Sequence, residues 1–144
     1  MIEIVTATKE DIDAIVLMEE EMFSDHMSSS TLTNSVGTDL FLVLKEANVI
    51  TGYFLGHCLM DDMEIYRIAV LPDKQQMGYG KKLLNEAMRQ AKQQGAKQCF
   101  LEVRESNAVA RRLYNSFGFQ EIDRRRRFYR MPDEDGIVMM IRLE

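Results

Sequence analysis

Gln75-Gln76-Met77-Gly78-Tyr79-Gly80-Lys81-Lys82 joins two segments of opposite character. Before it, Met63–Leu71 is an apolar-rich run of strand length that ends at Pro72. After it, Leu83, Leu84, Ala87, Met88 and Ala91 recur at helical spacing, and Gly95 marks a helix stop. Glycine has no Cβ, so the chain at Gly78 and Gly80 turns sharply and lets a ligand approach closely. The first N–H groups of the following helix lack carbonyl partners and carry partial positive charge. A pyrophosphate accepts several such donors at once, and Lys81 and Lys82 add attraction for an acidic ligand. Taken alone, Gly-x-Gly before a helix is equally a flexible turn. The spacing is not that of a P-loop, and the third glycine of a dinucleotide fingerprint is missing.

Working outward, Ile2–Ala7 reads as a strand. Thr8 offers an N-cap oxygen, and Glu10 and Asp11 place negative charge in the first turn of an amphipathic helix reaching about Phe23. A short helix is expected within Ser29–Val36. Leu40–Leu44 and Val49–Met60 read as strands joined by a turn at Glu46–Asn48, with a further turn at Asp61-Asp62. Beyond Gly95, Cys99, Leu101 and Val103 alternate with Phe100, Glu102 and Arg104 across the two faces of a strand. Ser106 or Asn107 can cap a helix carrying Val109, Leu113, Tyr114 and Phe117, ended by Gly118. Phe119–Arg127 and Ile137–Leu143 complete the chain as strands around an irregular link containing Met131-Pro132. The order β-α-α-β-β-β-α-β-α-β-β predicts a mixed α/β (α+β) fold, a central sheet with helices on both faces. With no repeat or linker, residues 1–144 are expected to form one domain.

Bulk composition narrows the function. An apolar fraction of 46% and a charged fraction of 28% are those of a globular protein. A net charge of −5 disfavours nucleic acid or an anionic membrane as the primary partner. Two cysteines, Cys58 and Cys99, both in apolar stretches, predict no disulfide framework and a reducing, cytoplasmic setting. Met1-Ile2-Glu3-Ile4 lacks the basic start of a signal peptide, and no apolar run approaches the roughly 20 residues that span a bilayer. His57 adjoins Cys58, but strand neighbours point to opposite faces and cannot pair as base and nucleophile. His26, His57 and the cysteines show no metal-ligand spacing, so no metal is expected. Arg124–Arg127 with Arg130 is the main basic cluster; as a strand it divides its arginines between two faces, either a solvated edge with salt bridges or a surface for RNA or an acidic peptide.

The glycine loop gains meaning from its neighbours. Tyr66-Arg67-Ile68-Ala69-Val70 precedes it, and Leu101-Glu102-Val103 and Asn107-x-x-Ala110-x-x-x-Tyr114-x-x-x-Gly118-Phe119 follow. In this combination the chain resembles the GNAT superfamily of N-acetyltransferases. The family's acetyl-CoA loop, Gln/Arg-x-x-Gly-x-Gly/Ala, is met by Gln75, Gly78 and Gly80. Within the superfamily, Leu101–Asn107 and the Arg-rich, aromatic end at Arg124–Tyr129 look like the RimI type, which acetylates the N-terminal alanine of a small-subunit ribosomal protein. That type commonly carries Phe-Pro-Trp-Ser after its first helix, in a segment that borders the acceptor site; this chain has Phe23-Ser24-Asp25-His26 there and no tryptophan.

The resemblance implies acetyl-CoA as co-substrate and a primary amine as acceptor, with a small amine or a protein lysine as the alternative acceptor and a non-catalytic acetyl-CoA-binding module as the remaining reading. It places acetyl-CoA on Ile68, Ala69 and Val70, on Gln75, Gln76, Met77, Gly78, Tyr79, Gly80 and Lys81, and on Asn107. A bulge interrupts the strand before the loop in that family, freeing amides for the pantetheine arm and the acetyl carbonyl. Glu102 is implied as the base and Tyr114 as the acid. Each has an ordinary structural role too: a strand glutamate is commonly solvated, Tyr114 shares a packing stripe, and Asn107 is a good helix cap.

Overall fold

The computed structural model describes residues 1–130 and 132–143. The chain runs β1 (Ile2–Thr6), α1 (Ile12–Met22), α2 (Ser29–Ser35), β2 (Leu40–Glu46), β3 (Val49–Leu59) and β4 (Asp62–Val70). It continues through α3 (Tyr79–Gln93), β5 (Gln98–Arg104), α4 (Ala108–Phe117), β6 (Gln120–Tyr129) and β7 (Glu134–Arg142). The seven strands form one sheet in the order β1-β2-β3-β4-β5-β7-β6, and only β4 and β5 are parallel.

Both faces of the sheet are covered, as the element order predicts. Leu83, Leu84, Ala87 and Met88 of α3 and Tyr114 of α4 pack on one face, against Leu42, Leu44, Phe54, Met63 and Leu101. Ile12, Ile15 and Met18 of α1 and Leu32 of α2 pack on the other, against Phe41, Val43, Tyr53, Leu55 and Ala69. Leu40–Leu44 is buried at every residue because both of its faces meet helices, which is why it reads as a continuous apolar run. β6 closes one end of the sheet and is exposed from Gln120 to Phe128.

Local signals set the element ends. The β2–β3 hairpin turns through Ala47 and Asn48, both at positive φ (52° and 66°), the arrangement a two-residue turn needs to match strand twist. Gly95 and Gly118 end α3 and α4 at φ 95° and 117°. After each, an amide bonds back five residues: Ala96 to the Ala91 carbonyl and Phe119 to the Tyr114 carbonyl, both at 3.0 Å. Thr8 stands at the expected N-cap, in a capping box with Asp11. The Asp11 carboxylate accepts from the Thr8 backbone N–H at 2.8 Å, and the Thr8 hydroxyl donates to the same carboxylate. Of the expected link at Met131-Pro132, Met131 lies outside the described residues.

Candidate active site

The site begins where the one parallel pair comes apart. β4 and β5 are paired over Asp62–Ile65 and Gln98–Leu101 only. Beyond that, β4 keeps β3 as its neighbour to Val70, and β5 keeps β7 to Arg104. On the β3–β4 side, Leu55 faces Arg67 and Gly56 faces Ile65, which leaves Tyr66 as an extra residue. Such a bulge bends its strand and turns it from its neighbour. The edge of Tyr66–Val70 that would meet β5 has no strand beside it, so main-chain groups there are open to a ligand. Ile68 lines the resulting cleft, while Ala69 is buried on the α1 side of the sheet.

The glycine loop stands at the end of this open edge. Gln75 donates from Nε2 to the Val70 carbonyl at 3.1 Å, pinning the loop back onto β4. Gln76 and Gly78 both adopt positive φ, 66° and 81°. Gln76, Met77, Gly78 and Lys81 are exposed, and no side chain caps the start of α3. The helix therefore presents its first N–H groups bare, as an anion site requires. A Cβ on Gly78 would have nothing within 4 Å, which leaves a ligand-sized approach to the main chain. A Cβ on Gly80 would stand 3.1 Å from Leu113 Cδ2, so that glycine lets α3 lie close to α4. The Tyr79 side chain turns inward, where its hydroxyl donates to Glu46 at 2.6 Å; only its main chain is available to the loop. A bare helix start beside an open glycine main chain fits an anionic group such as a pyrophosphate.

Glu102 on β5 and Tyr114 on α4 line the same cleft, which is bounded further by Phe23, Asp25, Tyr66, Arg67 and Tyr129. Glu102 Oε1 accepts from Arg125 Nη1 at 2.7 Å. Glu102 Oε2 is buried and accepts no hydrogen bond among the described residues. A buried acceptor without a donor costs about 1–3 kcal/mol, so this oxygen is complementary to an incoming N–H or a water. Tyr114 is buried and its hydroxyl has no hydrogen-bond partner among the described residues. Burial holds that hydroxyl well above the usual tyrosine range, with Cys99 and Tyr129 adding to the effect. It keeps its proton at neutral pH and is a donor. The Gly118 stop and the edge-on packing of Tyr114 against Phe119, ring centroids 5.5 Å apart, fix its place.

Asn107 also borders the cleft, but its Oδ1 is used as the α4 cap, accepting from the Ala110 N–H at 3.1 Å. Asn107→Ala is expected to cost about 1 kcal/mol of stability in urea unfolding, the usual value of such a cap. Both cysteines are inert by position: Cys99 is buried and Cys58 half-buried, and burial pushes each thiol upward. The arginine run is a salt-bridged edge, one of the two readings of its pattern. Arg124 pairs with Glu105 and Asp135, and Arg125 with Glu102. Two register slips, between Glu121 and Asp123 and between Arg125 and Tyr129, spoil the expected even division between faces.

Three site residues were not legible as such. Glu19 on α1 is completely buried and accepts from Tyr53 Oη, Arg67 Nε (2.9 Å), Arg67 Nη2 (3.0 Å) and the Met27 N–H (2.8 Å). Burial works against the Arg67 charge, but the hydrogen bonds and charge of Glu19 outweigh it and keep the guanidinium protonated. Glu19 lies in a Glu19–Glu21 run that looks solvated, yet it shares the buried stripe of Ile12, Ile15 and Met18. That spacing was the available signal. Tyr129 completes the set. Arg104 lies 4.6 Å over its ring and donates to the Arg130 and Pro132 carbonyls, folding the end of β6 against the cleft. Burial, with Glu102 and Asp25 nearby, pushes the Tyr129 hydroxyl up to about 12.

A sheet split between a bulged strand and its parallel partner, with a bare helix N-terminus beyond the split and a carboxylate and a tyrosine hydroxyl lining one cleft, suits acyl transfer. The model of the acetyltransferase (GNAT) family matches residues 10–119. The [ribosomal protein bS18]-alanine N-acetyltransferase of Haemophilus influenzae is 37% identical over 133 residues, 90% of each chain. The protein of the same name from Haemophilus ducreyi is 33% identical over 96% of this chain and 98% of its own. The crystal structure of the ribosomal-protein-S18-alanine N-acetyltransferase from Escherichia coli superposes with a TM-score of 0.92 at 29% identity, covering 100% of this chain and 95% of that one. The chain belongs to the GNAT acetyltransferase family. It is an acetyl-CoA-dependent N-acetyltransferase.

Proposed function

We propose that this enzyme acetylates the N-terminal alanine of a ribosomal protein in the cytoplasm, with Glu102 as base and Tyr114 as proton donor. The observation that carries the reading is one cleft lined by a bare, buried carboxylate oxygen and a partnerless hydroxyl. The acceptor is taken from relatives, similar along almost the whole chain, named as alanine N-acetyltransferases of ribosomal protein bS18.

An α-amine has a pKa of about 8 and is mostly protonated at neutral pH. It must lose a proton before it can attack. Glu102 Oε2 takes that proton, directly or through a water, while Arg125 occupies Oε1 and holds the carboxylate in place. Acetyl-CoA supplies an activated thioester. Main-chain amides on the open edge of the Ile68–Val70 segment hold its arm and polarise the acetyl carbonyl. The loop from Gln75 to Lys81 takes the pyrophosphate on main-chain N–H groups, with Lys81 adding charge. Tyr114 donates to the departing sulfur. Direct transfer needs no acyl-enzyme, in keeping with the buried thiols.

Thiol release with a panel of alanine-starting peptides, lysine peptides and small amines tests the reading. Selective turnover of the alanine-starting peptide is the expected outcome; turnover confined to small amines would overturn the acceptor. Gly78→Ala places a side chain in a left-handed position at a cost of about 1–2 kcal/mol. It is expected to weaken acetyl-CoA binding by roughly tenfold in titration calorimetry, since the loop leaves that conformation when strained.

A further inference from the structure

The segment joining α1 to α2 forms one wall of the cleft, through Phe23 and Asp25. It reaches the sheet through Glu19 and Arg67. The Met27 N–H donates to Glu19 Oε1 at 2.8 Å. Arg67 Nη2 donates to the Asp25 carbonyl at 3.2 Å, and the same nitrogen lies 3.7 Å from the Asp25 carboxylate. The Arg67 guanidinium lies 3.8 Å over the Phe23 ring. Arg67 directly follows the bulged Tyr66, so the residue that opens the sheet and the residue that holds the wall are adjacent.

We infer that the buried Glu19–Arg67 pair is a positioning device that sets the acceptor-side wall relative to the bulged strand. The inference rests on the acceptor reading of the cleft given above. Glu19 is fully buried, and Arg67 is 13% exposed. Two charges removed from water gain little net stability over well-packed apolar residues. Their retention here goes with a geometric role: four donors from three separate places converge on one carboxylate. Tyr53 on β3 and Arg67 on β4 are parts of the sheet, and Met27 is part of the wall. The bidentate guanidinium contact fixes direction as well as distance. Glu19 and Arg67 thereby govern acceptor binding while acetyl-CoA, held by the loop and the open edge, is untouched.

Steady-state kinetics of Arg67→Met, Arg67→Lys and Glu19→Gln with an alanine-starting peptide test this. Arg67→Met is expected to raise the acceptor KM by about tenfold, with the acetyl-CoA KM changed by less than about twofold. Arg67→Lys keeps the charge without the fork and restores part of the loss. Glu19→Gln preserves volume and serves where Arg67→Met fails to fold, as judged by thermal melting and acetyl-CoA binding. Amide hydrogen exchange at Met27 is expected to speed up by about tenfold in each variant. An unchanged acceptor KM in folded variants, or equal rises in both KM values, overturns the inference. If the wild-type enzyme does not use the alanine peptide, the acceptor reading fails by itself. Exchange at Met27 then decides whether the pair holds the wall, and an unchanged rate shows that it does not.

Discussion

Glu102→Gln is expected to lower kcat with an alanine-starting peptide by roughly 10²–10⁴-fold, the range a general base supplies. The substitution keeps shape and still offers an oxygen to Arg125, so the ion pair becomes a hydrogen bond from the guanidinium to an uncharged amide oxygen, without a void. What is lost is the oxygen able to take a proton. Oε2 is buried without a donor, so the native carboxylate carries an unmet demand that the acceptor ammonium or its water relieves. With acetyl-CoA held on the loop and the β4 edge as proposed, its affinity is expected to stay within about twofold by calorimetry. Single-turnover rates of acetyl transfer check the chemical step apart from product release. A Glu102→Gln enzyme that turns over at the native rate would remove the carboxylate from the mechanism.

Tyr114→Phe is expected to reduce kcat by roughly 10²-fold while leaving the fold as stable as before. The combination is diagnostic. A buried tyrosine ordinarily loses stability on becoming phenylalanine because a hydrogen bond disappears. The Tyr114 hydroxyl has no partner among the described residues, so nothing structural is broken, and the contact with Phe119 is kept. Thermal melting is therefore expected to be unchanged or slightly raised. Falling turnover beside unchanged melting separates a donor from a packing residue; unchanged turnover would leave Tyr114 a packing residue alone.

The residues differ in how openly the chain declares them. Gln75 stood out only through resemblance, whereas Gly78 and Gly80 are legible because a tight loop before a helix demands small residues, a local requirement. Asn107 and Gly118 are legible for the same reason, as cap and stop of one helix. Glu102 and Tyr114 stood out only through resemblance, since alternation and helical spacing give each an ordinary place as well. Glu19 and Arg67 are 48 residues apart and met no local rule. A charge is read as solvated until its partner is known, and that partner comes from another layer of the fold.

The order of strands and helices, the glycine stops of α3 and α4, the glycine bend before α3 and the two-faced burial of the sheet were determined by sequence alone, because caps, turns and apolar periodicity act within a few residues. Three features were decided only by tertiary structure: the parting of β4 from β5, the bare oxygen of Glu102, and the buried ion pair that carries the cleft wall. Each depends on which strands become neighbours and on what is left without one. Periodicity places a residue on a face, and only the assembled sheet determines what stands across from it.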